Sequence, residues 1–355
     1  QNDEWPFVTV LMAVHNEEKV IQDKMDTLLN LDYPKHLIQF FIGSDCSSDS
    51  TNAILENLAE SEQRIHFFAY DERRGKPGLI NEIEKQVQSF TPRHKSHVYL
   101  MTDASVMLKS DTLANLVRHF KNEKIVLVDA HMTYTGVDKK GIAESENTYL
   151  SSEVKTKNAE SKLWGKMIGP FGGCFCLRSS HYHEVPRNFL VDDFYIAMAA
   201  MKNGGLAIND MDAVCYEQVS HKSSEEYRRK KRISTGNFQN LFSFKFLLNP
   251  FTKIGFSFIS HKALRWLGPF FIIAIIITSI LLAQMDLVIY KWALAFLVIW
   301  FLLIPSINRL LNIVNIKIGI FSSIQYFNLM NVALLHGFYD FIKGVKTSAW
   351  EPTER

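Results

Sequence analysis

Cysteine is scarce in this chain: Cys46, Cys174, Cys176 and Cys215 are the four among 355 residues. Four thiols with no CxxC pair exclude a disulfide framework and give no structural zinc spacing, and a reducing compartment suits them. Proline and glycine number only 10 and 17, which excludes collagen-like and low-complexity chains. Neither sign of charge is in excess, since 39 Lys+Arg against 37 Asp+Glu leave a net charge of +2. That balance is too even for a dedicated nucleic-acid binder, so any anion recognition is local. G-x-G-x-x-G and G-x-x-x-x-G-K-[ST] are both absent, so neither a dinucleotide fingerprint nor a P-loop is supported. What the chain does have is apolar content. At 47% hydrophobic and 21% charged it is not disordered, and its length suits two domains.

The apolar residues are unevenly distributed. Residues 1–235 alternate apolar and charged segments, whereas 267–284, LGPFFIIAIIITSILLAQ, carries no charge. Residues 287–307, LVIYKWALAFLVIWFLLIPSI, contain only Lys291. Each run approaches the ~20 residues that cross a hydrocarbon core, so two clear membrane spans are expected. A third segment, 321–342, is interrupted by Gln325, Asn328, Asn331, His336 and Asp340 and reads as spanning or re-entrant. Basic flanks (His261, Lys262, Arg265; Arg309, Lys317; Lys343, Lys346, Arg355) orient the two runs as a hairpin with cytoplasmic ends. The Phe-rich stretch 237–265, broken by Pro250, reads as amphipathic interfacial helices. The chain opens on Gln1 rather than Met, which leaves open an upstream membrane segment.

The first 236 residues read as an α/β domain. Strands are expected at Phe7–Val14, Ile38–Ile42, Ile65–Tyr70, His97–Met101 and Ile125–Ala130, with helices between them from residue 51 to 58 and from 79 to 90. In such a sheet, ligands bind at the carboxyl ends of strands. Polar clusters fall there: Asn16-Glu17, Asp45–Asp49, Arg73–Lys76 and Asp103–Ser105.

Each cluster taken alone has an ordinary structural reading. The loop Ser44–Thr51 suits an N-capped helix start with Asp49 or Ser50 as the cap. Asp103 closes a strand as a turn residue would. Asp192-Asp193 precede a helical stretch, Tyr195–Lys202, where acids stabilise an N-terminus. They equally suit a general base for a hydroxyl, one of the pair titrating high through mutual repulsion. The basic run 228–232 suits either an anionic membrane surface or a diphosphate clamp. His221 and Cys174–Cys176 lack a metal-ligand spacing, and packing is the natural role of these cysteines.

Taken in order, these segments resemble the membrane-embedded family 2 glycosyltransferases, the group of cellulose, chitin and hyaluronan synthases. Val10–Glu17 resembles the opening strand and Asn-Glu turn. Asp45-Cys-Ser-Ser-Asp49 resembles the DxSxD nucleotide loop, and Arg74-Gly75-Lys76 with Asn81 the RxGK segment. Asp103-Ala-Ser105 stands at DxD, Gly169–Cys174 at the glycine-rich acceptor loop, and Asp192-Asp193 at the ED pair. Arg229 to Gln239 stands at QxxRW and its trailing glycine and glutamine. The tail 344–355, with Trp350, Thr353 and Arg355, resembles the WxPTxR-like end of several membrane synthases.

The resemblance implies a GT-A fold, a Rossmann-like mixed α/β sheet, over 1–236, interfacial helices over 237–265 and a membrane region over 266–343. It implies inverting transfer from a nucleotide-sugar donor, UDP favoured, to a lipid-linked or glycan acceptor at the cytoplasmic face of a multi-pass inner-membrane protein. Asp193 is then the base with Asp192 beside it. Asn16, Glu17, Asp45, Lys76, Asp103, Arg229 and Arg232 face the donor. Gly172, Gly173, Gln239 and Trp350 face the acceptor, and Asp103 with Ser105 holds Mg²⁺ or Mn²⁺. Implied partners are the two substrates and membrane lipids but no nucleic acid, with an oligomer or partner subunit left open. Ser105 replaces the second Asp of DxD, Arg229 the Gln, and Ile233 the Trp that holds a polymer. Those departures favour addition of one or a few sugars. A processive synthase is the alternative within enzymes, and an inactive nucleotide-sugar-binding subunit the alternative outside them.

Overall fold

The computed structural model describes residues 5–90, 94, 96–135, 142–218, 223–314, 316 and 318–350. His221, Lys317, Thr353 and Arg355 lie outside the described residues. The chain divides into two compact units, one of Gln1–Thr135, Ser151–Gln218 and Val345–Glu354, the other of Gly136–Leu150, Val219–Gly344 and Arg355.

The first unit is built on an eight-stranded mixed sheet. β1 (Phe7–Val14) is a run of mostly β-branched and apolar residues, buried over all but its first position, as a central parallel strand must be. It pairs in parallel with β2 (Ile38–Asp45), and β2 pairs in parallel with β3 (Ile65–Tyr70). On the other side of β1 lies β4 (His97–Thr102), again parallel. Helices α1 (Ile21–Leu29), α2 (Thr51–Ser61) and α3 (Gly75–Phe90) make the connections. β2 runs on to Asp45 and α3 begins at Gly75, so both meet the polar loops that the sequence reading left between elements.

The other half departs from a doubly wound pattern. β5 (Val106–Leu108) and β6 (Ile125–Thr135) are followed by β7 (Cys174–Arg178) and β8 (Leu206–Gln218). β7 lies antiparallel between β4 and β6, while β8 runs parallel to β6 and antiparallel to β5. The register decides where the site forms. Thr102 pairs with Cys174, so Asp103 and Gly173 leave the sheet side by side. α4 (Thr112–Val117), α5 (Ile142–Trp164) and α6 (Asp192–Met201) complete this part of the chain.

The second unit is helical. The boundary expected at 236 falls inside α7 (Ser223–Ser243), which packs along the helix Gly319–Lys343. A Cβ on Gly337 would lie 2.4 Å from that of Ser234, so the two backbones approach closely. Of the five polar residues that interrupt the third apolar segment, Asn331 donates to the Phe327 carbonyl of its own helix and the other four meet other helices. Gln325 accepts from Asn308 at 2.5 Å, Asn328 donates to the Trp300 carbonyl at 3.2 Å, His336 meets the Tyr227 hydroxyl, and Asp340 pairs with Lys231 at 2.7 Å. Of the two spans expected, the second meets the length and apolarity of a crossing by itself. Among the described residues one helix, Val288–Ile313, is long and apolar enough to cross a membrane. Gly268–Gln284 has 17 residues and reaches that standard only together with Lys253–Trp266, from which it is bent by 57°.

Candidate functional site

The carboxyl ends of β1 and β2 are locked together by their loops. Asn16, in the left-handed region at φ 52°, accepts on Oδ1 from Ser48 N at 2.8 Å, and its own N–H donates to Ser47 Oγ at 3.1 Å. The Glu17 N–H donates to Thr51 Oγ1 at 2.8 Å, and the Glu17 carbonyl accepts from Ile21 N as α1 begins. Asp49, not Ser50, caps α2: its carboxylate accepts from Thr51 N and Glu18 N, both at 3.0 Å. Burial raises the Asp49 pKa, but these bonds outweigh it and hold the group below its ordinary value.

Asp45 is fully buried and organises the next loop. Its carboxylate accepts from Arg74 N at 2.6 Å, Gly75 N at 3.1 Å and Arg73 Nε at 3.1 Å. His15 completes the group, with Nδ1 2.8 Å from the Asp45 carbonyl and Nε2 2.7 Å from Arg73 Nη1. A carbonyl only accepts and a guanidinium only donates, so the imidazole hydrogen is on Nδ1. Arg73 also reaches the C-terminal segment, donating to the Trp350 carbonyl with its guanidinium 5.6 Å from the indole centroid. Trp350, expected with the acceptor residues, therefore lies beside His15 and Arg73, the side chains bonded to Asp45.

The second half of the site is a cluster of one lysine and three carboxylates. Lys76, on the first turn of α3, donates to Asp103 Oδ1 at 2.7 Å and lies 3.8 Å from Asp192 Oδ2. Burial disfavours its charge, but Asp103 and Asp192 outweigh that and raise its pKa. Asp193 is pushed up to about 7, first by burial and then by the charge of Asp192, with Lys76 and the Phe194 N–H opposing. Both acids occupy the first turn of α6, where the helix dipole favours negative charge. Gly172, at φ 84°, brings bare backbone against this carboxylate, since a Cβ there would lie 2.2 Å from Asp193 Oδ2.

Asp103 and Ser105 offer a carboxylate and a hydroxyl on a half-exposed turn. Mg²⁺ and Mn²⁺ take hard oxygen ligands, and Mg²⁺ is usually held by one or two carboxylates plus substrate phosphates, which this donor set fits. Among the described residues no group of three or more His, Cys, Asp or Glu forms an all-protein cage. Arg229, Arg232 and Gln239 are carried by α7 in the second unit, where Arg229 donates to Glu226 at 3.1 Å.

The sequence profile of glycosyl transferase family 2 matches residues 9–185, the segment that carries Asp45, Lys76, Asp103 and the glycine loop. The chain belongs to that family. Similar curated relatives include a beta-monoglucosyldiacylglycerol synthase of Trichormus variabilis, 27% identical over 170 residues, which are 47% of this chain and 34% of that one. A poly-beta-1,6-N-acetyl-D-glucosamine synthase of Staphylococcus aureus is 30% identical over 122 residues, 34% of this chain and 27% of that one. These matches span about a third of the relatives' own length. Among solved structures, the mannosyltransferase PcManGT of Pyrobaculum calidifontis, in complex with GDP-Man and Mn²⁺, is 19% identical. It aligns over 96% of this chain and 88% of its own with a TM-score of 0.71, a likeness of fold.

Several buried polar residues behind the site were not singled out from sequence. Asp129 and Lys157 form an ion pair at 2.5 Å, both fully buried. Asp129 also accepts from Phe171 N at 3.2 Å, and the Lys157 ammonium lies 4.3 Å from the Phe171 ring centroid. Together they hold the glycine loop at Phe171, just ahead of Gly172. The signal was available: Asp129 is a charge inside an apolar strand run, and Lys24 stands in the apolar row of α1.

Proposed function

We propose that the chain is an inverting glycosyltransferase that moves a sugar from a nucleotide-sugar donor, UDP-linked by preference, to a lipid-linked or glycan acceptor at the cytoplasmic face of a membrane. The observation that carries this reading is Asp193. Its carboxyl is raised to about 7, lies against bare backbone at Gly172, and belongs to the same cluster as Asp103 and Lys76. A general base works best with its pKa near the operating pH.

In this mechanism the Asp193 carboxylate takes the proton of an acceptor hydroxyl. The hydroxyl oxygen forms a bond to the anomeric carbon from the face opposite the nucleotide, and the bond from that carbon to the diphosphate oxygen breaks. The nucleoside diphosphate leaves with the electron pair. Lys76 supplies positive charge beside Asp103, and Arg229 and Arg232, by the family pattern, neutralise charge on the departing diphosphate. Asp103 and Ser105 would hold a divalent ion, which when bound offsets diphosphate charge. Asn16, Glu17 and Asp45 shape the nucleotide side through the loops they lock. Gly172 and Gly173 border the acceptor side, with Gln239 proposed there from the family pattern.

The named products of the two curated relatives, a glycolipid and a polysaccharide, support a lipid or glycan acceptor. The outward apolar surface of Val288–Ile313 supports membrane attachment. The test is nucleoside-diphosphate release by the detergent-purified full chain across UDP- and GDP-sugars, with and without Mg²⁺ or Mn²⁺. The expected result is release from one donor, stimulated by the ion, with one or a few sugars added. A ladder of products from one acceptor would move the reading to a processive synthase. Absence of both release and nucleotide binding would overturn it.

A further inference from the structure

α1 buries Ile21, Met25 and Leu28 at helical spacing, and Lys24 stands in the same row with its side chain fully buried. Its ammonium donates to Thr102 Oγ1 at 2.7 Å and to the Val106 carbonyl at 2.5 Å. Those two acceptors are the ends of the turn that carries Asp103 and Ser105, a turn closed by Val106 N donating to the Asp103 carbonyl at 3.2 Å. Thr102 extends the connection. Its hydroxyl donates at 2.9 Å to the Gly173 carbonyl, which also accepts from Asp103 N at 3.1 Å. One ammonium is thus two hydrogen bonds away from the glycine loop that borders Asp193.

Placing a charge in that row is costly. Burial lowers the Lys24 pKa to about 8, against the opposing pull of Cys174, Cys215 and Asp103. An apolar side chain of similar volume would fill the row without that cost. What it would lack is a hub of three N–H donors able to hold both ends of a turn at once.

We propose that Lys24 is a positioning residue that clamps the Asp103–Ser105 turn and, through Thr102, the Gly172–Gly173 loop in one register. This rests on the glycosyltransferase reading of the site, in which Asp103 faces the donor diphosphate and Gly172 the acceptor.

The experiment compares the full-length wild type with Lys24→Met and Lys24→Gln in detergent. It reads hydrogen exchange by segment, GDP and UDP binding with and without Mn²⁺, and kcat and KM. In Lys24→Met, segments 102–108 and 169–174 are expected to exchange about tenfold faster while 38–45 is unchanged, a local opening. kcat is expected to fall on the order of 10²-fold, the scale of an ångström-level misplacement. Metal-free nucleotide affinity is retained and the enhancement by Mn²⁺ is lost. Lys24→Gln, which keeps a donor without the charge, is expected to lie between.

Unchanged exchange in the two segments together with unchanged kcat would overturn the clamp. So would uniformly faster exchange, which marks a general loss of stability. If Lys24→Met does not fold, Thr102→Val is expected to reproduce its pattern and Thr102→Ser to restore the wild type; Val and Ser behaving alike would overturn it. A wild type that binds no nucleotide would instead overturn the glycosyltransferase reading, and the exchange data would still decide the clamp.

Discussion

Asp193 is legible from sequence only as half of an acidic pair at a helix start, where a cap and a base look alike. In the structure the two carboxyls differ in setting, Asp192 lying 3.8 Å from the Lys76 ammonium. Asp193 accepts from its neighbour Phe194 N at 2.7 Å, while burial and Asp192 lift it to about 7. In the proposed role the active form is the carboxylate, so turnover should rise with pH through about 7 and level above it. Asp193→Asn keeps the shape and removes the base. It should retain nucleoside-diphosphate binding, lose at least ~10²-fold in turnover, and lose the rising limb of the pH profile. The same shift bears on stability with the opposite sense. Between an unfolded value of about 3.9 and the folded one, the native state holds a proton that the unfolded chain has released. Stability is therefore fully present at the acid end of that window and declines as pH rises through it. Thermal unfolding of wild type and Asp193→Asn at pH 5 and pH 8 should show a smaller pH-dependent loss in the variant. A variant with wild-type turnover would remove Asp193 from the chemistry.

At the scale of elements, the parallel half of the sheet could be read from the chain because β1 to β4 are short apolar runs with polar ends. Of the other half only β6 could, as the run Ile125–Ala130. β7 is only five residues long, and β8 carries Asp210 and Asp212, which read as loop until their ion pairs with Arg118 are seen. The glycine loop depends on that half, because the β4–β7 register sets Gly173 beside Asp103. Gly172→Ala tests how tightly the loop is placed. The new Cβ meets Asp193 Oδ2 and strains a backbone at φ 84°. Gly204→Ala is the control: its φ is 95° and nothing lies within 4 Å of its Cβ position. Each replacement of a positive-φ glycine should cost about 1 kcal/mol of stability. Only Gly172→Ala should also reduce turnover, by roughly 10²-fold if the carboxylate is displaced by an ångström. Equal turnover in the two variants would place Gly172 outside the reacting centre.

For the whole molecule, the two apolar runs 267–284 and 287–307, the second holding only Lys291, pointed to a membrane from sequence, but the number of crossings could not be read because hydropathy does not distinguish a straight helix from a bent one. In Val288–Ile313 the side chains of Trp292, Phe296, Val298, Ile299 and Leu302 are exposed. They cover no core, and an outward band of this kind is stable when lipid covers it. If the helix spans a bilayer, the full chain should remain in the membrane pellet after an alkaline carbonate wash and leave it only with detergent. Leu302→Arg places a charge in the middle of the band at a cost of about 2.5–3.5 kcal/mol of insertion, and should move protein from the pellet to the soluble or aggregated fraction. Leu163→Arg, at an exposed position on α5 and outside the apolar helix, should leave the distribution unchanged. Release of the wild type by carbonate alone would mean that the helix lies on the surface without crossing it.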